Sequence, residues 1–128
     1  MSDFLTTLGL HELDEACRPI RDGFGATPYL VGSALERGDS KPRDVDVRLI
    51  LEDHEFDRLF AGKPAFWGLL CRAFATYLRA KTGLPVDFQI QRQTEANAKH
   101  LKSRNPLGVR TTANYAGGGD GTPRTDRK

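Results

Sequence analysis

The alternation of apolar and polar residues along the chain predicts helices and strands in turn. A first helix is indicated by four apolar residues three or four positions apart: Leu10, Leu13, Cys17 and Ile20. Proline lacks a backbone N–H and clashes with the preceding turn, so Pro19 is expected to end or kink this helix near its middle. Residues 28–31 read as a short buried strand. A turn at Gly32-Ser33 then leads into a brief helix at 34–36 and a polar loop at 37–43.

The segment 44–52 alternates strictly, which is typical of a strand with one buried face. One face would carry Val45, Val47, Leu49 and Leu51, and the other Asp44, Asp46, Arg48 and Ile50. A third strand is expected at 84–90, where Asp87 and Gln89 lie on the face opposite Val86, Phe88 and Ile90. Both strands therefore carry a carboxylate between two apolar residues.

Residues that favour the beginning or the end of a helix predict three further helices. Asp53 favours the N-cap of a helix to about Phe60, and Thr94 the N-cap of a last helix to about Leu101. Between them, Pro64 favours the first turn of a long helix and Gly83 its end. The long helix bears a broad apolar stripe expected to pack on the sheet, made of Phe66, Trp67, Leu70, Phe74, Tyr77 and Leu78.

These elements predict an α/β (α+β) fold: a small mixed β-sheet of about three to four strands with helices packed on it. A chain of 128 residues can bury one core but not a second folded module. We expect a domain over residues 1–102 and a basic, Gly/Pro-containing flexible tail over 103–128, where large apolar residues are scarce.

The formal net charge of +2 is unevenly distributed. Residues 1–98 hold 12 basic and 15 acidic side chains, whereas residues 99–128 hold seven basic and two acidic ones. Clustered positive charge attracts phosphate without sequence preference, so weak nucleic-acid contact through the tail is one interpretation, and a solvated tail without function is the other.

Other features narrow the class of protein. No apolar run reaches the roughly 18 residues of a membrane span, and the N-terminus has no secretory pattern. The two cysteines, Cys17 and Cys71, have no disulfide or metal spacing, so we interpret them as small buried residues in a reducing, cytoplasmic protein. The three histidines show no ligand spacing either.

Asp44, Asp46 and Asp87 are the candidate chemical groups. Asp44 and Asp46 are two positions apart on a strand and point the same way, and Asp87 joins them if the two strands are neighbours. Carboxylates placed side by side repel one another unless a cation lies between them. Mg²⁺ binds such oxygens together with phosphates and water, so the sequence predicts a magnesium site close to the Gly32-Ser33 turn. The alternative is three solvated carboxylates on an exposed sheet face.

At these residues the chain resembles the nucleotidyltransferase superfamily that includes DNA polymerase β. The resemblance rests on Val31-Gly32-Ser33, on Asp44-Val45-Asp46-Val47 about ten residues later, and on Val86-Asp87-Phe88. It covers roughly residues 10–100, and the length is closest to that of the minimal nucleotidyltransferases. It implies a palm-like fold and transfer of a nucleoside monophosphate from an NTP, ATP among the candidates, to a hydroxyl, with release of pyrophosphate.

The resemblance also implies roles for particular residues. Asp44 and Asp46 would bind Mg²⁺, with Mn²⁺ as a substitute, and Asp87 would complete the metal site or accept the proton of the attacking hydroxyl. Gly32 and Ser33 would contact the triphosphate. Three cations of the following loop are candidate phosphate contacts by spacing alone: Arg37, Lys41 and Arg43.

Two departures from the family pattern keep an alternative open. Ala34 and Leu35 follow the Gly-Ser turn where relatives of this size often have a basic residue, and no second helical domain is present to hold an acceptor. Either the site is open, or a partner protein or a second copy of the chain completes it. The alternative function is a catalytically inactive binding module, or the antitoxin-like half of a two-protein system.

Overall fold

A computed structural model describes residues 7–31, 44–99 and 104–109 of the protein. In these ranges four helices and four strands follow one another along the chain. Their order is α1 (Thr7–Phe24), β1 (Pro28–Val31), β2 (Val45–Leu51), α2 (Asp53–Phe60), α3 (Pro64–Thr82), β3 (Val86–Arg92), α4 (Gln93–Lys99) and β4 (Arg104–Pro106). The brief helix and polar loop expected at 34–43, and the end of the last helix at Leu101, lie outside the described residues.

The four strands form one mixed sheet in the order β3-β2-β1-β4. β1 runs antiparallel to both β2 and β4, whereas β2 and β3 are parallel. A parallel pair needs a crossover connection, and α2 and α3 supply it between β2 and β3. The predicted class, a small mixed sheet with helices packed on it, is thus confirmed.

The hydrophobic core lies between one face of the sheet and helices α1 and α3. The buried strand residues follow the predicted alternation: Val45, Val47, Leu49, Leu51, Val86, Phe88 and Ile90. Helix α1 packs Leu13, Cys17 and Ile20 against them, and α3 packs Cys71, Ala75 and Leu78. Each large apolar side chain that is fully buried contributes about 1.5–3 kcal/mol to stability. Of the predicted stripe on α3, Phe66 remains 43 % exposed.

The sequence predicted that Pro19 would end or kink helix α1, and the first of these two outcomes is wrong. The helix continues to Phe24, and Pro19 itself lies on its exposed side. Cys17 and Ile20, on either side of the proline, are both buried in the core. Burial on both sides of the proline therefore outweighs the loss of one backbone hydrogen bond.

Asp53 and Thr94 are not the N-caps that the sequence predicted. The two residues form hydrogen bonds with each other instead. Asp53 is the first residue of α2 rather than its N-cap, and α4 begins at Gln93. The backbone N–H of Thr94 donates to Asp53 Oδ1 over 3.0 Å, and the Thr94 hydroxyl donates to Asp53 Oδ2. Asp53 thus caps α4 instead of its own helix, and these hydrogen bonds lower its pKa.

Strand β4 belongs to the folded domain, although it lies within the tail that we expected at residues 103–128. Arg104–Pro106 pairs with β1, and the following Leu107 is fully buried. The backbone N–H of Gly108 donates to the buried carboxylate of Asp14 over 2.8 Å, which ties this segment to α1. Residues 110–128 of the expected tail are not among the described residues. None of the described helices has the length and apolarity of a membrane span.

Candidate functional site

Asp46 and Asp87 are direct neighbours on the two parallel strands of the sheet. They are register partners in the β2–β3 ladder, and both face away from the hydrophobic core. Each is partly exposed, because the valines and phenylalanine beside them take the buried face. The sequence prediction that these two carboxylates share a face is therefore correct.

Asp44 lies one residue before β2 and is exposed. Its charge acts on Asp46. Burial raises the pKa of Asp46 above its ordinary value, the charges of Asp87 and Asp44 raise it further, and Arg48 lowers it. The three predicted carboxylates therefore interact electrostatically in one region, at the N-terminal ends of β2 and β3.

The end of β1 lies beside the same region. Val31 is the last residue of β1 and the register partner of Asp46 in the antiparallel β1–β2 ladder. The C-terminal residue of β1 is therefore directly opposite Asp46. Gly32 and Ser33 come next in sequence but lie outside the described residues, as do the candidate phosphate contacts Arg37, Lys41 and Arg43.

The cation between Asp46 and Asp87 is the guanidinium of Arg48. Arg48 Nη2 lies 3.2 Å from Asp87 Oδ2 and 3.9 Å from Asp46 Oδ1. Arg48 Nη1 donates to the backbone carbonyls of Asp87, at 2.8 Å, and of Val47, at 3.1 Å. One side chain thus bridges β2 and β3 through both charge and hydrogen bonds.

Sequence reasoning did not assign Arg48 to the site. The sequence nevertheless placed Arg48 near the site, because Arg48 follows Asp46 by two positions and shares its strand face. An arginine near the middle of a strand is costly to bury unless its charge is paired. Here the whole residue is only 8 % exposed, and within the described part of the chain its Nε has no hydrogen-bond partner.

The donor atoms are of the kind that a hard divalent cation prefers, but their arrangement is not a formed metal site. Mg²⁺ takes carboxylate oxygens, usually one or two from the protein, with phosphates and water. Asp44, Asp46 and Asp87 supply such oxygens. Within the described ranges, however, no three acidic, histidine or cysteine side chains are arranged to hold a metal ion. Arg48 occupies the place between the two carboxylates that we expected a metal to take.

A polar cleft of about 400 Å³ opens toward the other end of β2. Its lining includes Tyr29, Ile50, His54 and Arg104, and the Arg104 guanidinium lies 5.7 Å from the centre of the Tyr29 ring. Ile50 is four residues along the strand from Asp46, a distance of about 13 Å. Tyr29, by contrast, is the register partner of Arg48, so one side of the cleft adjoins the strand that carries Asp46.

Comparison with known proteins adds no identification. The chain matches no protein-family description, and no curated protein or solved structure is significantly similar to it. The functional interpretation therefore depends on the residues themselves.

Proposed function

We propose that the protein is a metal-dependent nucleotidyltransferase, which transfers a nucleoside monophosphate from an NTP to a hydroxyl group. The observation that supports this proposal best is the pairing of Asp46 with Asp87 on adjacent parallel strands, with Asp44 just before β2. These residues belong to the two carboxylate motifs on which the resemblance rests. Two carboxylates in this arrangement repel each other, so a cation is expected beside them.

The position of Val31 gives independent support. Because β1 ends at Val31, opposite Asp46, a turn at Gly32-Ser33 as the sequence predicts would begin beside the carboxylates. A glycine and a serine there would let phosphate oxygens approach backbone N–H groups and a hydroxyl. In this proposal Gly32, Ser33 and the loop cations Arg37, Lys41 and Arg43 contact the triphosphate.

In the proposed reaction the acceptor oxygen bonds to the α-phosphorus, and the bond from that phosphorus to pyrophosphate breaks. Asp44, Asp46 and Asp87 would hold Mg²⁺ or Mn²⁺, which when bound offsets the charge of the phosphates. Asp87 has the more exposed carboxylate of the central pair, with 46 % of its side chain accessible. In this proposal it completes the metal site or accepts the proton that the attacking hydroxyl releases. The acceptor would be a small molecule, a protein or an RNA end.

The second candidate function is a nucleotidyltransferase-like binding module without turnover, such as the antitoxin-like half of a two-protein system. Arg48 favours this alternative, because it already neutralises part of the charge of the carboxylate pair. In that case the protein would bind a partner protein or a second copy of itself.

The two functions are separated by incubating the full chain with α-labelled NTPs, Mg²⁺ or Mn²⁺, and candidate acceptors. We expect label to be transferred only when the metal is present. The rate of transfer should fall at least about a hundredfold in Asp46→Asn and in Asp87→Asn, which is the usual effect of losing one strong electrostatic contact to a transition state. Asp22→Asn is the matched control, since Asp22 is an exposed aspartate on α1 that pairs, among the described residues, with Arg21 at 3.5 Å. It should retain full activity.

The proposal fails if no NTP gives labelled product and none binds in a metal-dependent way. It also fails if transfer occurs but Asp46→Asn and Asp87→Asn are as active as Asp22→Asn. The first result would favour the binding module.

A further inference from the structure

The positive charge of Arg48 stands where the proposed reaction requires a divalent cation. Its Nη2 is within 4 Å of a carboxylate oxygen of both Asp46 and Asp87. A metal ion bound by the same two carboxylates would lie within a few ångströms of the guanidinium. At such a separation two cations repel strongly, and the repulsion is larger where water is partly excluded.

The guanidinium is held more deeply than the carboxylates it pairs with. The Arg48 side chain is 10 % exposed, compared with 24 % for Asp46 and 46 % for Asp87. Its hydrogen bonds to the carbonyls of Val47 and Asp87 anchor it to the strands. A cation arriving from solvent therefore reaches the carboxylates first and finds part of their charge already neutralised.

We propose that Arg48 is an internal counter-cation that competes with a divalent metal for Asp46 and Asp87. It keeps the two carboxylates together in the metal-free protein and lowers their affinity for metal. This inference rests on the proposed function, because it takes these carboxylates as metal ligands. Arg48 is a positioning residue in this scheme, since it acts through the carboxylates.

The inference is tested by Mn²⁺ binding to the full chain, followed by the electron paramagnetic resonance signal of free Mn²⁺. Arg48→Gln keeps N–H donors for the carbonyls of Val47 and Asp87 but removes the charge, whereas Arg48→Lys keeps the charge. We expect Arg48→Gln to bind Mn²⁺ at least about tenfold more tightly than the wild type, because a unit charge a few ångströms from a divalent ion is removed. Arg48→Lys should stay within about twofold of the wild type by the same reasoning.

Arg58→Gln is the matched control. Arg58 is an exposed arginine on α2 that pairs with Glu55, and its removal should leave Mn²⁺ binding unchanged. Adding Asp46→Asn to Arg48→Gln should abolish the gain in affinity, which assigns the gain to the carboxylate pair.

Equal Mn²⁺ affinity in the wild type and Arg48→Gln overturns the inference and leaves the proposed nucleotidyl transfer standing. Absence of binding in every variant overturns both the inference and the metal assignment. Circular dichroism checks that Arg48→Gln is folded. If it is not, the guanidinium NMR signals of Arg48 in the wild type are followed during Mg²⁺ addition. They should shift in the wild type but not in Asp46→Asn, and unchanged signals in both overturn the inference.

Discussion

Replacement of Gly108 by alanine tests how the segment after β4 docks on helix α1. Gly108 has a φ of +82°, a conformation that residues with a side chain rarely adopt. A Cβ atom at this position would lie 3.3 Å from Arg18 Cα and from the carbonyl carbon and oxygen of Cys17. These are backbone atoms of α1, so they cannot move aside as a flexible side chain would.

The expected loss of stability has two parts. The left-handed conformation costs an alanine about 1–2 kcal/mol relative to glycine. The close contact adds about 1 kcal/mol, the lower end of what overpacking usually costs. The two together make Gly108→Ala less stable by about 2–3 kcal/mol, and the bond from the Gly108 N–H to Asp14 should weaken as the segment shifts.

Urea unfolding measures this loss, and two other glycines separate its parts. Gly83 has a φ of +73° with open space around it, so Gly83→Ala should lose only the conformational part, about 1–2 kcal/mol. Gly23 lies in α1 with neither a positive φ nor a near neighbour, and Gly23→Ala should be neutral or stabilising by up to about 1 kcal/mol. The reasoning is refuted if Gly108→Ala loses no more stability than Gly83→Ala.

Three further changes have definite expected outcomes. Because the pKa of Asp46 is raised in the folded state, stability should fall as the pH rises from 3.8 through the raised value. Asp46→Asn, followed by urea unfolding, should lack this decrease of stability with pH and should be at least as stable as the wild type at pH 7. A lower stability of the variant at pH 7 would contradict the raised pKa. Burial raises the pKa of Cys17 to about 12, so its thiol should react with a disulfide reagent only after unfolding, and rapid labelling of the native protein would count against a buried thiol. In urea unfolding, Leu107→Ala should lower the free energy of unfolding by about 2–5 kcal/mol, because Leu107 is buried. Val109→Ala should lower it by under about 1 kcal/mol, because Val109 is exposed. Equal losses in the two variants would mean that Leu107 is not in the core.

The sequence determined the parts of this protein that depend on local periodicity. Alternation along 44–52 and 84–90 predicted which side chains enter the core and which carboxylates share a face, because side-chain direction in a strand has a period of two. Pro64 and Gly83 predicted the ends of α3 correctly, since the backbone restrictions of proline and glycine act within a few residues. The class of fold followed from the order of these elements.

Tertiary structure decided the features that depend on which segments meet. β4 has three residues and no clear pattern of its own, so only its pairing with β1 and the burial of Leu107 make it a strand. Asp53 caps α4 because two distant segments pack together, which no local rule contains. The position of the cation in the candidate site also depends on which segments meet. Sequence spacing predicted a cation between Asp46 and Asp87, but only the parallel pairing of β2 and β3 brought Arg48 close enough to be that cation.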